Sequence, residues 1–408
     1  MRKISIGRAA YFMSLQKKAS YTTAKFFCVA TFMVVAAGCS SLPSLSSMNP
    51  FASKAAPRNP PTPLAEVTQR LPVRKVWSTV VGAASIYTFS PAVSGAHIDV
   101  AAHDGSLMRL DAASGKIAWR IKASSLLTAG VGSDGATIVV AGSGGKILAF
   151  DADGKSRWTA QASSEILSAP AVGDGIVIVR SQDNRILGLD AQTGERKWAL
   201  QKSSPPLTLR AAPGILIKGA HAYIALAGGK LLSVNVANGV PRWEVSVGEA
   251  RGATELDRVI DTSGMPVLSG NDVCAVSYQG RAMCFNAESG TAAWAKDLSS
   301  EVGLGADERL VFASDMTGAV SALSREGGAS VWKNTQLRYR GLSAPTAFGQ
   351  AIAVGDAQGY VHFLSRDDGA MLSRIPTDGS AISTAPVLAD SQLIVQTRAG
   401  MISALAAQ

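Results

Sequence analysis

The chain has 408 residues, 40 of them glycine and only four cysteine, with 39 Lys and Arg against 30 Asp and Glu for a formal charge of +9. Six of the basic residues and no acid fall in the first 38 positions, so the remainder carries only about +3. There Lys and Arg are scattered among acids, which excludes the concentrated basic face that nucleic-acid binding needs.

The N-terminal 38 residues pair that positive charge with an apolar run, 26-FFCVATFMVVAAG-38, ending in small residues before Cys39. The run is too short for a comfortable membrane span and has the layout of a secretory signal; an N-terminal anchor helix is the alternative. The tetrapeptide 36-AAGC-39 resembles the lipobox of bacterial lipoproteins, with Ala36 where Leu is usual. That resemblance implies a signal peptide over 1–38, lipidation of Cys39 and, because Ser40 and Ser41 replace an inner-membrane Asp signal, an outer-membrane destination. Translation starting at Met13 would give a more ordinary signal, since Lys17, Lys18 and Lys25 still precede the run. Residues 39–74 hold seven of the seventeen prolines and few apolar side chains, a composition that reads as a flexible tether.

From 75 to 408 one unit recurs eight times. It opens at Gly105, Gly145, Asn184, Gly229, Gly280, Gly318, Gly359 and Gly400, continues as a short apolar run, and reaches a polar residue six positions on in all but the last copy. Five copies then complete D-x-x-x-G-x-x-x-W or its Asn or Ser variant, as in 111-DAASGKIAW-119, and 151-DADGKSRW-158 is one residue shorter. The apolar run is strand-length, Asp or Asn can bond the turn backbone, and Gly supplies φ > 0, so each unit predicts a hairpin. Trp then lies on the returning strand, where it can fill the gap between sheets with its N–H satisfied. Trp119, Trp158, Trp198, Trp243, Trp294 and Trp332 occupy that place and Ser373 degenerates it. Prolines 91, 170, 266, 345 and 386 mark strand entries, where sheets tolerate them.

A period of roughly 40 residues predicts a repeat architecture, here an all-β, eight-bladed β-propeller. The last copy, 400-GMISALAAQ-408, ends before its own turn, whereas Trp77 lacks a preceding Gly-led strand. Each is the missing half of the other, so 75-KVWSTVV-81 is expected to pair with the C-terminal strand and close the ring, removing open edges.

Four dispersed histidines (His97, His103, His221, His362) show no metal-ligand spacing, and no nucleophile elbow or C-x-x-C is present, so no catalytic residue, metal or cofactor is expected. The run 142-GSGGK-146 is a repeat turn rather than a phosphate loop, since it lacks the following Ser or Thr and helix. Cys274 and Cys284 lie symmetrically about Gln279 in one hairpin; they can face each other as a disulfide or remain two small buried thiols.

The lipobox, Pro-rich stretch and Trp-docking turns together resemble the BamB family, β-propeller lipoproteins of the machinery that folds proteins into the bacterial outer membrane. The turn alone is less specific, because it is the PQQ-like repeat shared with quinoprotein dehydrogenases. Two further stretches narrow it: 207-LTLRAAP-213 is similar to the family's L-x-L-R-G segment and 253-ATELDRVID-261 to its S-T-E-I-D-R segment. Intervals between successive tryptophans are 42, 39, 40, 45, 51 and 38 residues, so the two longest insertions follow Trp198 and Trp243 in adjacent blades and emerge side by side. Long loops on a rigid scaffold are where binding usually resides.

The resemblance implies that this pair of loops docks on a periplasmic POTRA domain of the central barrel subunit, BamA, through Leu207, Leu209, Arg210 and Asp261, the last as a rim charge. Ala211 and Ser263 depart from the family's Gly and second acid. Leu207 and Leu209 alternate with polar residues beside Arg210 in a set suited to an interface core, or else pack under their own loop. The implied protein is a non-catalytic monomer within a hetero-oligomer, lipid-anchored on the periplasmic face of the outer membrane. The rival classes are a quinoprotein enzyme holding pyrroloquinoline quinone and calcium, and a general periplasmic binding module.

Overall fold

The computed structural model describes residues 59–209 and 212–407. The signal region, Met13, Cys39, Arg210 and Ala211 lie outside the described residues.

The repeat unit folds as read. Among the described residues, eight antiparallel four-stranded sheets follow one another in chain order, and the eighth is completed by the first described strand. We number the blades 1 to 8 from Ala92 onward. In blade 1 the strands are Ala92–Ser94, His97–Ala101, Ser106–Asp111 and Ile117–Lys122. The first strands of neighbouring blades touch around the ring, with Thr346 Oγ1 donating to Pro386 O between blades 7 and 8 at 2.7 Å. The second and third strands are apolar on both faces because a neighbouring blade covers each face; Val100, Met108 and Leu110 are fully buried there. The fourth, outermost strand alternates exposed and half-buried residues, the period of two expected at a rim.

At the turns between third and fourth strands that carry Asp or Asn, the polar side chain bonds the turn backbone. Asp111 Oδ1 accepts from Ser114 N at 2.9 Å and Gly115 adopts φ +69°. The seven indoles bind between blades. Trp77 Nε1 donates to Ala112 O of blade 1, and Trp119, Trp158, Trp198, Trp243, Trp294 and Trp332 donate to Ala152, Ala191, Val236, Ala287, Arg325 and Arg366 O, all at 2.7–3.3 Å. Each ring also lies on the turn glycine of the following blade: Gly115 carries Trp77 and Gly239 carries Trp198, with no room for a Cβ at either position. The Gly and Trp that stand four residues apart in sequence therefore serve different seams.

Closure occurs where expected. Val73–Val80 pairs antiparallel with Met401–Ala407, Trp77 opposite Ala404. The degenerate Ser373 has a reason: blade 8 passes from third to fourth strand across the chain termini, so no turn exists there to receive an indole. Leu71, with Leu372 and Ile375, packs instead against the apolar cluster between blades 7 and 8.

The segment read as the end of a flexible tether is held against the body over 59–72. Thr62 N donates to Arg338 O at 3.0 Å, Arg340 and Arg374 each donate through Nη1 to Thr62 O and Ala65 O at 3.1 Å, and Arg70 N donates to Leu372 O at 2.9 Å. Leu64 joins the apolar cluster between blades 6 and 7. Proline-rich composition signals a lack of internal hydrogen bonds; here the partners come from blades 6 and 7, far away in sequence.

Pro91, Pro170, Pro345 and Pro386 immediately precede first strands. Pro266 instead lies inside Thr262–Ser269, where the register breaks between Ser263 and Val267 and the missing N–H costs no ladder bond. The 142–146 run is the turn between second and third strands of blade 2, with Gly144 and Gly145 at positive φ. Cys274 and Cys284 stand opposite each other in adjacent strands of blade 5 and form a disulfide, both fully buried.

Candidate partner-binding surface

Turns joining second to third strands and connections between blades share one face of the ring. The connections 202–214 and 247–261 lead from the Trp strands of blades 3 and 4 into blades 4 and 5, so they are neighbours on that face. Leu207 is 44% exposed. Leu209 is half-buried, lining a cavity of about 20 Å³ with Leu167, Pro213 and Ala227. Leu209 thus packs beneath its connection, whereas Leu207 faces outward. Arg210 follows directly in the chain.

The second connection contains a knuckle. Thr254 and Asp257 cap each other, Thr254 Oγ1 donating to Asp257 Oδ2 at 2.7 Å and Asp257 N donating to Thr254 Oγ1 at 3.1 Å. Arg258 N then donates to Thr254 O, and Val259 N to Leu256 O. Val259 and Ile260 turn inward, which leaves Leu256 at the tip, 73% exposed. Sequence reading passed over Leu256, although it sits in the middle of the 253–261 segment; an apolar residue between a Thr and Asp spaced to cap one another was the available signal.

Asp261 is not a rim charge. It is 2% exposed, beneath the first connection: Oδ2 accepts from Leu209 N at 2.5 Å and Oδ1 from Gly228 N at 2.9 Å, while its own carbonyl accepts from Tyr278 N. Burial pushes its carboxyl above the usual carboxylate range, opposed by the Gly228 and Leu209 amides and the charge of Arg180. The expected contact residue is thus an internal tie between two connections and a turn. A burial of this kind depends on a loop 52 residues away folding over it, which no local pattern announces. Ser263, where a second acid is common, is also buried, and its hydroxyl donates to Asp261 O at 3.4 Å.

A second polar cluster lies in blade 7. Asp356 and His362 are fully buried, with His362 Nε2 and Asp356 Oδ2 2.8 Å apart; Arg340 donates to the same carboxylate at 2.7 Å, and Arg374 Nε donates to His362 Nδ1 at 3.3 Å. With Nδ1 accepting, the imidazole is neutral and donates to Asp356 from Nε2. Burial draws the His362 pKa down. The cluster braces the two arginines that hold residues 62–65. Among the described residues, no three His, Cys, Asp or Glu side chains are grouped to hold a metal.

The chain matches a family model described as outer membrane protein assembly factor BamB over residues 103–334 and 318–408. It is 41% identical over 344 residues to the protein of that name from Burkholderia pseudomallei, covering 84% of this chain and 90% of that one. The crystal structure of BamB from Moraxella catarrhalis superposes with a TM-score of 0.76 at 29% identity, covering 82% of this chain and 99% of that one. Quinohemoprotein alcohol dehydrogenase from Comamonas testosteroni superposes with a TM-score of 0.62 at 13% identity, covering 82% and 76% respectively. That last likeness shows the fold alone.

Proposed function

Because the chain belongs to the family of outer membrane protein assembly factor BamB, we propose that it is a non-catalytic scaffold of the outer-membrane β-barrel assembly machinery. In this reading residues 1–38 are a signal peptide, Cys39 carries the lipid, and the propeller is held at the periplasmic face of the outer membrane as one subunit of a hetero-oligomer. Its partner is a POTRA domain of BamA.

The observation that carries the docking site is the pairing of two long connections on one rigid face, with Leu207 and Leu256 presented outward while the residues around them are tied down. Apolar side chains held out by an ordered loop form a contact that costs little ordering entropy on binding. Arg210, next to this set, supplies the guanidinium that interface centres favour.

Titration of the purified POTRA segment against the mature protein tests this. Leu207→Ala combined with Arg210→Ala is expected to weaken binding by on the order of 2 kcal/mol or more, since central Arg and aliphatic anchors reach that size. Lys116→Ala, exposed in blade 1 on the opposite face, is the control. Equal affinities for the two variants would move the docking site elsewhere.

A further inference from the structure

The connection that presents Leu207 is gripped at both ends. Near its start Asn184 Nδ2 donates to Ser203 O at 3.1 Å, and near its end Asp261 Oδ2 accepts from Leu209 N at 2.5 Å. These two grips come from different blades, yet one side chain reaches toward both. Arg180, the last residue of Ile176–Arg180 in blade 3, donates through Nη1 to Asn184 Oδ1 at 3.0 Å and lines the same cavity as Asp261. Arg180 is only 7% exposed, and its Nε has no hydrogen-bond partner among the described residues.

Placing a guanidinium there is costly unless an opposite charge compensates it, and an apolar side chain would pack the strand end at less cost. What the guanidinium adds is direction. It orients the Asn184 amide so that Oδ1 faces inward and Nδ2 faces Ser203, and its charge opposes the burial that pushes up the carboxyl of Asp261, which accepts from two amides. Asn184 stands at φ +58°, a conformation that places its amide back over its own turn.

We propose that Arg180 is a positioning residue of the partner-binding surface: through Asn184 and Asp261 it fixes both ends of the 203–209 segment and so presents Leu207 ready-formed, without touching the partner. The inference rests on the docking reading above, and two separate measurements keep them apart.

The first measurement is amide exchange on the intact mature protein. In Arg180→Gln the Leu209 and Gly228 amides, both donors to Asp261, are expected to exchange at least tenfold faster, while amides in His221–Leu226 and Lys230–Asn235 keep their protection. Arg180→Lys keeps the positive charge beside Asp261 and is expected to restore protection at Leu209 and Gly228. Asn184→Gly, which retains the positive φ and removes the amide, is expected to loosen the Ser203 end alone. The second measurement is affinity for the POTRA segment: Arg180→Gln is expected to lose about tenfold, as when the presenting conformer falls to roughly a tenth of the population. Leu207→Ala is expected to lose affinity with exchange unchanged. Unaltered exchange at Leu209 and Gly228 in a folded Arg180→Gln variant, or failure of Arg180→Lys to restore it, overturns the positioning role. If Arg180→Gln accelerates exchange while Leu207→Ala binds as well as the parent, the loop-fixing role stands and the docking assignment falls.

Discussion

Trp198→Ala tests the seams that make eight sheets one body. The ring is 8% exposed between blades 3 and 4, lies on Gly239, and donates to Val236 O at 2.8 Å. An aromatic side chain of this size removes on the order of 200 Å² from water, which at about 25 cal/mol per Å² corresponds to about 5 kcal/mol. The indole hydrogen bond adds about 1 kcal/mol. Alanine recovers part of the burial and the seam partly collapses, so a net loss of about 4 kcal/mol is expected, inside the range of ~3–5 for such truncations. Trp119, whose ring is half-buried and whose bond to Ala152 O is solvent-exposed, is expected to cost less on truncation, in proportion to the smaller area it buries. Trp198→Phe keeps most of the area and leaves the Val236 carbonyl without its donor, at about 1–2 kcal/mol. Urea unfolding followed by far-UV dichroism measures all three, with unchanged slopes confirming that midpoint shifts report stability. If Trp198→Ala costs under about 1 kcal/mol, or no more than Trp119→Ala, the indoles do not carry the seams and the reasoning is refuted.

Removing residues 400–408 takes away the partner of Val73–Val80 and bares two strand edges, so the truncated protein is expected to lose solubility and melt earlier; unchanged melting would contradict the closure. The Cys274–Cys284 disulfide closes a short loop. The double alanine variant is expected to lose about 2–3 kcal/mol by the chain-entropy relation, and denatured, unreduced mature protein should show neither of these two thiols by titration. His362 is expected to make stability pH-dependent. Burial chiefly, with Arg374 and Arg340, holds its pKa below 6.5 against the pull of Asp356, so the unfolded chain binds the proton first. Stability present above pH ~6.5 is therefore expected to decline as pH drops below that value, and His362→Gln should flatten the melting profile between pH 7 and 5; a parallel profile in the variant would exclude His362 as the source.

What the chain determines by itself is the repeat. Strand, turn and docking residue lie within about a dozen positions of one another, so short-range chemistry is enough to mark eight copies and to identify Trp77 and the C-terminal run as halves of one blade. The relations between copies are of another kind. That Gly239 rather than Gly194 carries Trp198 follows from how neighbouring blades stack. Residues 59–72, polar and proline-rich in isolation, find their hydrogen bonds and apolar contacts only because blades 6 and 7 supply them. Asp261 reads in sequence like any surface acid, and it becomes an internal tie because a loop 52 residues earlier closes over it. Arg180 shows no motif at all. Its meaning arises where neighbouring connections meet over one buried strand end, a proximity that the stacking of successive blades creates.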